Sequence, residues 1–363
     1  MVLAALILAA VLVYLGTYRL AASNRSIQAS VGRSWFKQGR ELLQTGKPDS
    51  AVKAFRKASV NDRENRQYSR WLASALEADG RNQEARELLL QIRESVPEDP
   101  EVNLELARIS ARQSDIPTAV RYYQNALYGI WTGEDIDRRR DNVRRELIDV
   151  LLQQGTPQQA LPEILALANH LPATVANENE VGKLLLRAGA PRRALDDFQW
   201  VLRHDRHDAT ALAGAAQAWF EVGDYARAKR ELSLISARTP EESETLKLAS
   251  IIVDLDPTGP LSLAERSRRL VTALDLAGTG LAGCLNRSPA SPNAAALQQS
   301  QQTIQSLKSQ ISAKALENQP DLVTSSMELI SQSEDLISKS CGPVAGSDKA
   351  LLLLAEKVRG AEQ

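Results

Sequence analysis

The sequence has 363 residues, of which 43% are hydrophobic and 25% are charged, and its formal net charge is −1. This composition is ordinary for a folded protein and argues against wholesale disorder, and the lack of excess Lys and Arg argues against nucleic acid as a partner. With only three His and two Cys, the chain has little material for a metal centre, so we expect neither a metal nor another cofactor.

The chain begins with an apolar segment. No charged residue occurs from Val2 to Tyr18, where most residues are Leu, Ala, Val or Ile. This length is close to the minimum for a helix that crosses the hydrocarbon layer of a membrane. Residues 1–22 therefore predict an uncleaved transmembrane helix. The alternatives are a cleaved secretory signal, with a small-residue site near Ala21 and Ala22, and a buried core helix.

The charges that flank this segment bear on its orientation. No Lys or Arg precedes the segment, whereas Arg19, Arg25 and Arg33 follow it. Because cytoplasmic flanks of membrane helices are enriched in basic residues, this asymmetry alone would place the body of the chain in the cytoplasm.

Downstream of the apolar segment, one pattern of residue types recurs at a spacing of 34 residues. Ala51, Ala85 and Ala119 share one position of this pattern, and Gly46 and Gly80 share another. Each unit is typical of a helix, a short turn and a second helix, with small residues where the two helices approach closely. The glycines are expected to end the first helix in a left-handed conformation.

Three more units follow an insertion. The register slips by about seven residues over 132–140 and then resumes with Ala160, Ala194 and Ala228 at the alanine position. In the third unit, Ser114 stands where the other units have a turn glycine.

The insertion begins near two aromatic residues, Tyr128 and Trp131. Aromatic side chains that remain exposed are frequent anchors for a partner protein. The alternative is that both side chains pack against the neighbouring repeat.

The period and the residue types resemble those of the tetratricopeptide repeat family. The resemblance covers about 32–242, and a helix over about 243–255 would cap the array, so 32–256 is expected to form six helix-turn-helix repeats plus a capping helix. It implies an all-α chain with a right-handed superhelix, an α-α solenoid, whose first helices line a concave groove. Family members bind extended peptides or partner helices in that groove. The apolar start makes this chain similar to a membrane-anchored bacterial member.

Projection of the first helices onto such a fold predicts a mostly basic concave side. The predicted groove residues are Arg33, Phe36, Arg40, Arg70, Arg108, Arg112, Arg145, Lys183 and Arg187. An acidic peptide or a free carboxylate would suit these guanidinium groups, which bind carboxylates through two parallel hydrogen bonds. Glu77, Glu101, Asp149 and Glu221 lie on the same side, and in the alternative interpretation the charges form solvated faces with local ion pairs.

The repeat pattern ends at the Pro- and Gly-rich stretch 256–260, which predicts a domain boundary. The spacing of Leu297, Ile304 and Ile311 is close to a heptad, which is typical of a helical bundle. Residues 260–360 are therefore predicted to form a C-terminal helical bundle, and their Gln and Ser content leaves a disordered tail as the alternative. The predicted helices cover about 261–281, 293–317, 319–339 and 346–359.

The two cysteines, Cys284 and Cys341, follow the first and the third of these predicted helices. Alternate helices of an up-down-up arrangement end at the same pole, so the two thiols would be neighbours. We predict a disulfide, against the alternative of two unpaired thiols. Because such a bond persists only in an oxidising compartment, it favours a single-pass protein of the bacterial inner membrane with its body in the periplasm. The alternatives are a body on the cytoplasmic side and a cleaved, secreted product.

These expectations favour a protein–protein interaction scaffold over an enzyme. The tethered array would recruit or assemble protein or peptide partners through its concave groove. In the alternative, the chain is an accessory subunit or a periplasmic chaperone-like factor that acts through 260–360. No serine-nucleophile elbow or phosphate-binding loop with its Lys occurs, and the C-terminal module contains no His, so no catalytic residue is predicted.

Overall fold

A computed structural model of the chain describes residues 2–63 and 65–360. In these two ranges every regular element is an α-helix, which confirms the all-α prediction. In chain order the helices are α1 (Val2–Gln44), α2 (Pro48–Asn61), α3 (Arg66–Ala78), α4 (Asn82–Ser95), α5 (Pro100–Arg112), α6 (Ile116–Tyr128), α7 (Ile136–Gln153), α8 (Pro157–His170), α9 (Val175–Arg187), α10 (Pro191–His204), α11 (Ala209–Glu221), α12 (Tyr225–Leu234), α13 (Pro240–Leu255), α14 (Leu263–Arg287), α15 (Ala294–Gln310), α16 (Ala313–Asn318), α17 (Leu322–Cys341) and α18 (Gly346–Gly360).

The helices belong to two compact units, Met1–His170 and Leu171–Gln363, each of which is described by itself. In the first unit, α1 packs on α2, α3 on α4, α5 on α6 and α7 on α8. In the second unit, α9 packs on α10 and α11 on α12. Successive antiparallel pairs of this kind are the building blocks of a helical repeat array.

Short acidic residues set where several of these helices begin. The side chain of Asp99 accepts hydrogen bonds from two backbone N–H groups in the first turn of α5, and Pro100 occupies the first helical position. A proline is tolerated there because its missing N–H would have no partner inside the helix. Asp115 and Asp208 cap α6 and α11 in the same way.

The turn inside each repeat requires a left-handed backbone. The turn glycines have φ values between 69° and 83°, which confirms the sequence prediction; they are Gly46, Gly80, Gly155, Gly189 and Gly223. Ser114 adopts the same conformation in the third repeat, with a φ of 61°. The turn geometry is therefore kept where glycine is missing.

Small residues bring paired helices close together. The alanine at the repeated position of each second helix is completely buried, at Ala51, Ala85, Ala119, Ala160, Ala194 and Ala228. On the first helices, a methyl group added to Gly39 would meet the ring of Phe55 at 2.7 Å, and one added to Gly182 would meet the ring of Phe198 at 2.8 Å. These aromatic rings fill the space that the missing side chains leave.

The insertion in the repeat register has two structural parts. Residues 129–135 form a connection, and α7 has 18 residues where α5 has 13. Trp131 is only 7% exposed and its indole Nε1 donates a hydrogen bond of 2.8 Å to the carbonyl oxygen of Ala126. Tyr128 is 76% exposed. Of the two aromatic residues, Trp131 packs within its unit and Tyr128 does not.

The C-terminal helices differ in their bounds from the predicted ones. Helix α14 continues through the glycine-rich run 278–283 and includes Cys284, whereas the prediction ended it at about 281. The second predicted helix is divided into α15 and α16, because Ser312 is extended and its side chain caps α16.

One hydrophobic core joins the C-terminal helices to the end of the repeats within the second unit. It includes Tyr225 of α12 and Leu248 of α13, and it continues through buried residues of α14 to α18. The predicted boundary at 256–260 therefore lies within the second unit.

Cys284 and Cys341 lie at disulfide-bonding distance, with their Cα atoms 5.8 Å apart. The two residues belong to the ends of α14 and α17, both of which contact each other along their length. Cys284 is completely buried.

The predicted transmembrane helix over 1–22 falls largely on what the structure does not describe. Met1 and the side chains of 2–13, Gly16, Ala21 and Ala22 lie outside the described part. Among the residues that are described, no helix is both long enough and apolar enough to cross a membrane.

Candidate functional site

The first unit contains a cavity of 470 Å³ formed by α3, α5 and α7. These are the first helices of three successive repeats, so their facing sides are held at a fixed spacing by the helices that pack behind them. Residues of all three helices, with Trp131 from the preceding connection, line the cavity: Gln67, Arg70, Trp71, Ser74, Glu101, Leu104, Glu105, Arg108, Trp131, Arg139, Asn142, Val143 and Glu146.

Arg108 is the central charged group of this cavity. Its guanidinium donates two hydrogen bonds to the carboxylate of Glu146, at 2.9 and 2.6 Å, and a third to Glu105 at 2.8 Å. The hydrogen bonds that Arg108 donates to Glu146 raise the pKa of the guanidinium. The hydroxyl of Tyr123 donates to Glu146 at 3.4 Å, and burial raises the pKa of that phenol. Arg108 is therefore a fixed cation with its carboxylate partners already in place.

A second group of ion pairs lies at the other end of the cavity. Glu101 pairs with both Arg70 and Arg139. Burial lowers the pKa of Arg70. Arg139 also lies over the ring of Trp131, with its Cζ atom 4.3 Å from the ring centroid. Such a cation–π contact fixes the guanidinium plane against the indole.

The apolar part of the cavity comes from Trp71, Trp131, Leu104 and Val143. The ring of the α1 residue Phe36 contacts Trp71, with the two ring centroids 5.9 Å apart. Large, rigid aromatic surfaces beside fixed charges are typical of a site that anchors a partner side chain.

The structure brings several of the predicted groove residues together around this cavity. Arg70 and Arg108 line it directly. Arg40 lies 5.3 Å from the ring centroid of Trp71. Phe36 packs against Trp71 and against Tyr68, at 4.9 Å from the latter ring.

The remaining predicted residues lie elsewhere. Arg112 pairs with Glu77 at 2.5 Å, and burial raises the pKa of that carboxyl. Arg33 is an exposed residue of α1, and Arg145 follows Asn142 by one turn of α7 and donates to it at 3.5 Å. Lys183 and Arg187 are exposed on α9, in the second unit.

In the cavity itself, the ion pairs favour the alternative interpretation of the groove charges. Arg70, Arg108 and Arg139 are each matched by a glutamate of the same unit. An incoming carboxylate would have to replace an existing partner. A count of the basic residues therefore overestimates the attraction of the cavity for an acidic ligand.

Trp71, Glu105 and Glu146 are cavity residues that the sequence prediction did not include. Trp71 follows Arg70 directly in the sequence. A large aromatic residue beside a predicted groove residue of a first helix is a signal that could have placed Trp71 in the cavity. Glu146 gave no comparable signal, because its pairing with Arg108 spans the insertion.

No group of three or more His, Cys, Asp or Glu side chains that could hold a metal ion occurs within the described ranges. The cavity combines aromatic side chains, paired charges and exposed amides.

Comparison with protein families finds two models that match the chain, both described as tetratricopeptide repeat. One matches residues 36–100 and 78–135. The other matches 185–251. The first match contains most of the cavity residues. Comparison with curated proteins finds no sequence match.

Solved structures of tetratricopeptide repeat proteins are similar to the chain at low sequence identity. YrrB, titled a TPR protein with an unusual peptide-binding site, is 17% identical with a TM-score of 0.40, over 50% of this chain and 91% of that one. The pilF protein of Pseudomonas aeruginosa is 17% identical with a TM-score of 0.42, and the match covers 57% of this chain and 90% of pilF. A tetratricopeptide repeat protein from Parabacteroides merdae is 13% identical with a TM-score of 0.41, and the match covers 66% of this chain and 91% of that protein.

Proposed function

This chain is a tetratricopeptide repeat protein, and on that premise we propose that it is a scaffold that holds partner proteins through the cavity of α3, α5 and α7. Repeats of this family generally mediate protein–protein interaction and peptide binding, and the fold is typically a non-enzymatic scaffold. The single observation that carries the proposal is the cavity of 470 Å³ with Trp71 and Trp131 among its lining residues.

The chemistry of the cavity defines the ligand we propose. Its arginines are paired, so a ligand gains little from net negative charge there. The half-buried Trp71 and Leu104 offer apolar contact, while Gln67, Asn142 and the ion-paired glutamates offer hydrogen-bonding groups. A peptide segment with one or two large apolar side chains and free backbone amides satisfies both parts of the surface.

The test is recovery of partners with the full-length chain from its native host. Leu104→Arg places a long charged side chain on the half-buried floor of the cavity. Val60→Arg is the matched control, because Val60 is 66% exposed and lies on α2, away from the cavity. Both variants should keep the melting temperature of the wild type to within about 4 °C, which corresponds to roughly 1 kcal/mol.

We expect partners that co-purify with the wild type and with Val60→Arg to be depleted about tenfold or more with Leu104→Arg, since a charge buried in an apolar contact costs at least about 1.4 kcal/mol. Equal recovery with all three proteins would refute the cavity as the binding site. It would favour the second candidate, an accessory role of the C-terminal helices.

We propose further that Cys284 and Cys341 form a disulfide and that the body of the chain lies in an oxidising compartment, the bacterial periplasm. Their Cα separation of 5.8 Å lies within the usual disulfide range of about 4.4–6.8 Å. The uncharged stretch Val2–Tyr18 supports a single-pass anchor in the inner membrane.

Mass spectrometry of unreduced protein tests this location. Host cells are alkylated during lysis, and the peptides that contain Cys284 and Cys341 are then sought without reduction. A cross-linked peptide pair is expected. Recovery of both cysteines in the alkylated form would mean that the body lies in a reducing compartment.

A further inference from the structure

The second unit carries a groove on the outer side of its repeats that is unlike the cavity of the first unit. The groove has a volume of 660 Å³ and is formed by α10, α11 and α12. The second helices of two successive repeats, α10 and α12, form its walls, and the first helix α11 contacts both of them and forms its floor. The groove therefore lies on the face opposite to the one that first helices present.

Positive charge dominates the groove. Four arginines line it, Arg203, Arg206, Arg227 and Arg230, against one acidic residue, Glu231. All four arginines are exposed. The chain as a whole has a net charge of −1, so this excess is local.

Most of this charge is poorly compensated. Arg227 pairs with Asp224 at 3.4 Å and Arg230 with Glu231 at 3.4 Å, both longer than a good charge-assisted hydrogen bond. Arg203 and Arg206 make no ion pair and no side-chain hydrogen bond with any residue that the structure describes. This contrasts with Arg108 in the first unit, which is saturated by two glutamates.

Apolar residues form the floor of the groove and part of its walls. Leu202, Leu212 and Trp219 line it, and Leu234 contributes an aliphatic side chain that is 55% exposed. Arg227 lies over the ring of Trp219, with 4.4 Å from Cζ to the ring centroid. An exposed leucine beside several guanidinium groups gives the groove both an apolar contact and hydrogen-bond donors that a partner segment can use.

We propose that this outer groove binds an acidic segment of a partner protein that also carries aliphatic side chains. Carboxylates of the segment would accept paired hydrogen bonds from Arg203 and Arg206, the two groove arginines that have no ion pair among the described residues. Its aliphatic side chains would cover Leu234, and Arg227 would stay over the ring of Trp219. Charge complementarity selects this occupant, because the groove offers an excess of guanidinium groups around an apolar strip.

Two other polyanions fit the surface less well. A lipid bilayer is flat and cannot reach an apolar floor that lies between two helices. Single-stranded nucleic acid would require open aromatic faces for base stacking, and the described face of Trp219 is covered by Arg227. Both become outcomes of the test.

The probe is a fluorescein-labelled peptide with the sequence EELLDELLEE, and its uncharged counterpart QQLLNQLLQQ is the reference. Fluorescence anisotropy is measured with the full-length chain. The key variant is Arg203→Glu with Arg206→Glu. The matched control is Arg192→Glu with Arg193→Glu, which makes the same charge change at exposed positions. These two residues lie at the start of α10, whereas Arg203 lies at its end and Arg206 in the turn that follows.

We expect the acidic peptide to bind the wild type more tightly than the uncharged one, and to lose affinity as salt is raised. The Arg203 and Arg206 variant should weaken binding by about tenfold to a hundredfold, because attraction at two guanidinium positions becomes repulsion. The Arg192 and Arg193 control should stay within about twofold of the wild type, which is less than 1 kcal/mol.

Leu234→Ser provides an independent variant should the charge reversal impair folding, which circular dichroism will report. It removes the exposed aliphatic contact and leaves all four arginines, and it should weaken binding of the acidic peptide severalfold. Equal losses in the key variant and the control, or no binding to the wild type, would overturn the proposal. So would Arg203-dependent binding of phosphatidylglycerol vesicles or of oligo-dT that the acidic peptide fails to displace.

Discussion

At the scale of single residues, Phe198 shows how the repeats achieve close packing. Its ring on α10 lies against Gly182 of α9 and Gly214 of α11, and a methyl group on either glycine would overlap it. Phe198 is completely buried, so the ring has no free space into which it can move. The large residue at this site depends on two small ones in neighbouring helices.

Gly214→Ala is therefore predicted to destabilise the protein by about 1–3 kcal/mol, the usual cost of overpacking a core. The matched control is Gly278→Ala, also inside a helix, where the nearest atom, on Ile304, would be 3.7 Å from the new methyl group. Because alanine favours a helix over glycine by about 0.5–1 kcal/mol, the control should be neutral or stabilising. Urea unfolding of both variants measures this difference, and a Gly214→Ala protein as stable as the control would contradict the packing account.

Glu334 is a second residue whose surroundings make a prediction. It is completely buried in α17, and neither of its carboxylate oxygens has a hydrogen-bond partner among the described residues. Burial, together with the nearby charge of Asp348, raises the pKa of Glu334 from its ordinary 4.5 to about 8. At neutral pH the folded protein therefore holds this side chain protonated.

The raised pKa makes stability depend on pH. Below the ordinary pKa the side chain is protonated in both states, and as pH rises the unfolded chain releases the proton first. The contribution to stability is lost progressively up to the folded pKa of about 8. This loss lowers the free energy of unfolding by up to about 1.4 kcal/mol per pH unit. Glu334→Gln cannot ionise, so it should not show the loss.

Unfolding midpoints measured from about pH 5 to about pH 8 test the prediction. The unfolding midpoint of Glu334→Gln should vary less with pH than that of the wild type. The variant should exceed the wild type most at the highest pH. Glu328→Gln, an exposed position of the same helix, should leave the profile unchanged. Parallel profiles for the wild type and Glu334→Gln would show that Glu334 is ionised in the folded state.

At the scale of helices, the sequence pattern located the pairs of each repeat because the determinants are local. A glycine or Ser114 in the turn, and a buried alanine one turn into the second helix, are specified within about fifteen residues of each other. Contacts between repeats are not specified in this way. Arg108 of α5 meets Glu146 of α7 across the insertion, and the rotation of α7 about its axis does not follow from the period.

The same difference explains the outcome for the candidate site. The sequence pattern predicted several arginines on the groove side of the first helices. Of these, Arg70 and Arg108 line one cavity. Whether a guanidinium remains available depends on its neighbours in the next repeat, which only three-dimensional contacts define. The less compensated arginines, Arg203 and Arg206, lie in the last turn of α10 and in the connection that follows it, outside the predicted groove.

The proposed disulfide acts at the scale of helices, since it would join the ends of α14 and α17 across 57 residues of sequence. In the chain-entropy model, closing a loop of that length contributes about 4 kcal/mol. We expect dithiothreitol to lower the unfolding midpoint of the wild type to that of Cys284→Ser with Cys341→Ser. An unchanged midpoint on reduction would indicate that no bond had formed.

At the scale of the whole molecule, the chain has one candidate binding surface in each compact unit. The cavity of the first unit has paired charges and two tryptophans. The outer groove of the second unit has four arginines around an apolar strip, and two of them have no ion pair with a described residue. Their different chemistry predicts different ligands. Leu104→Arg should leave the affinity for the acidic probe peptide within about twofold of the wild type, which is less than 1 kcal/mol. A larger loss would mean that the two surfaces are not independent.

The central claim is that the cavity of α3, α5 and α7 holds a partner protein, and site-specific photo-cross-linking in the native host tests it most directly. Benzoylphenylalanine is introduced at Ser74, which lines the cavity, and separately at Gln91, an exposed residue of α4 outside it. A discrete cross-linked partner from Ser74, absent from Gln91 and lost when Leu104→Arg is added, is the predicted result. The same adducts from both positions, or none from Ser74, would contradict it.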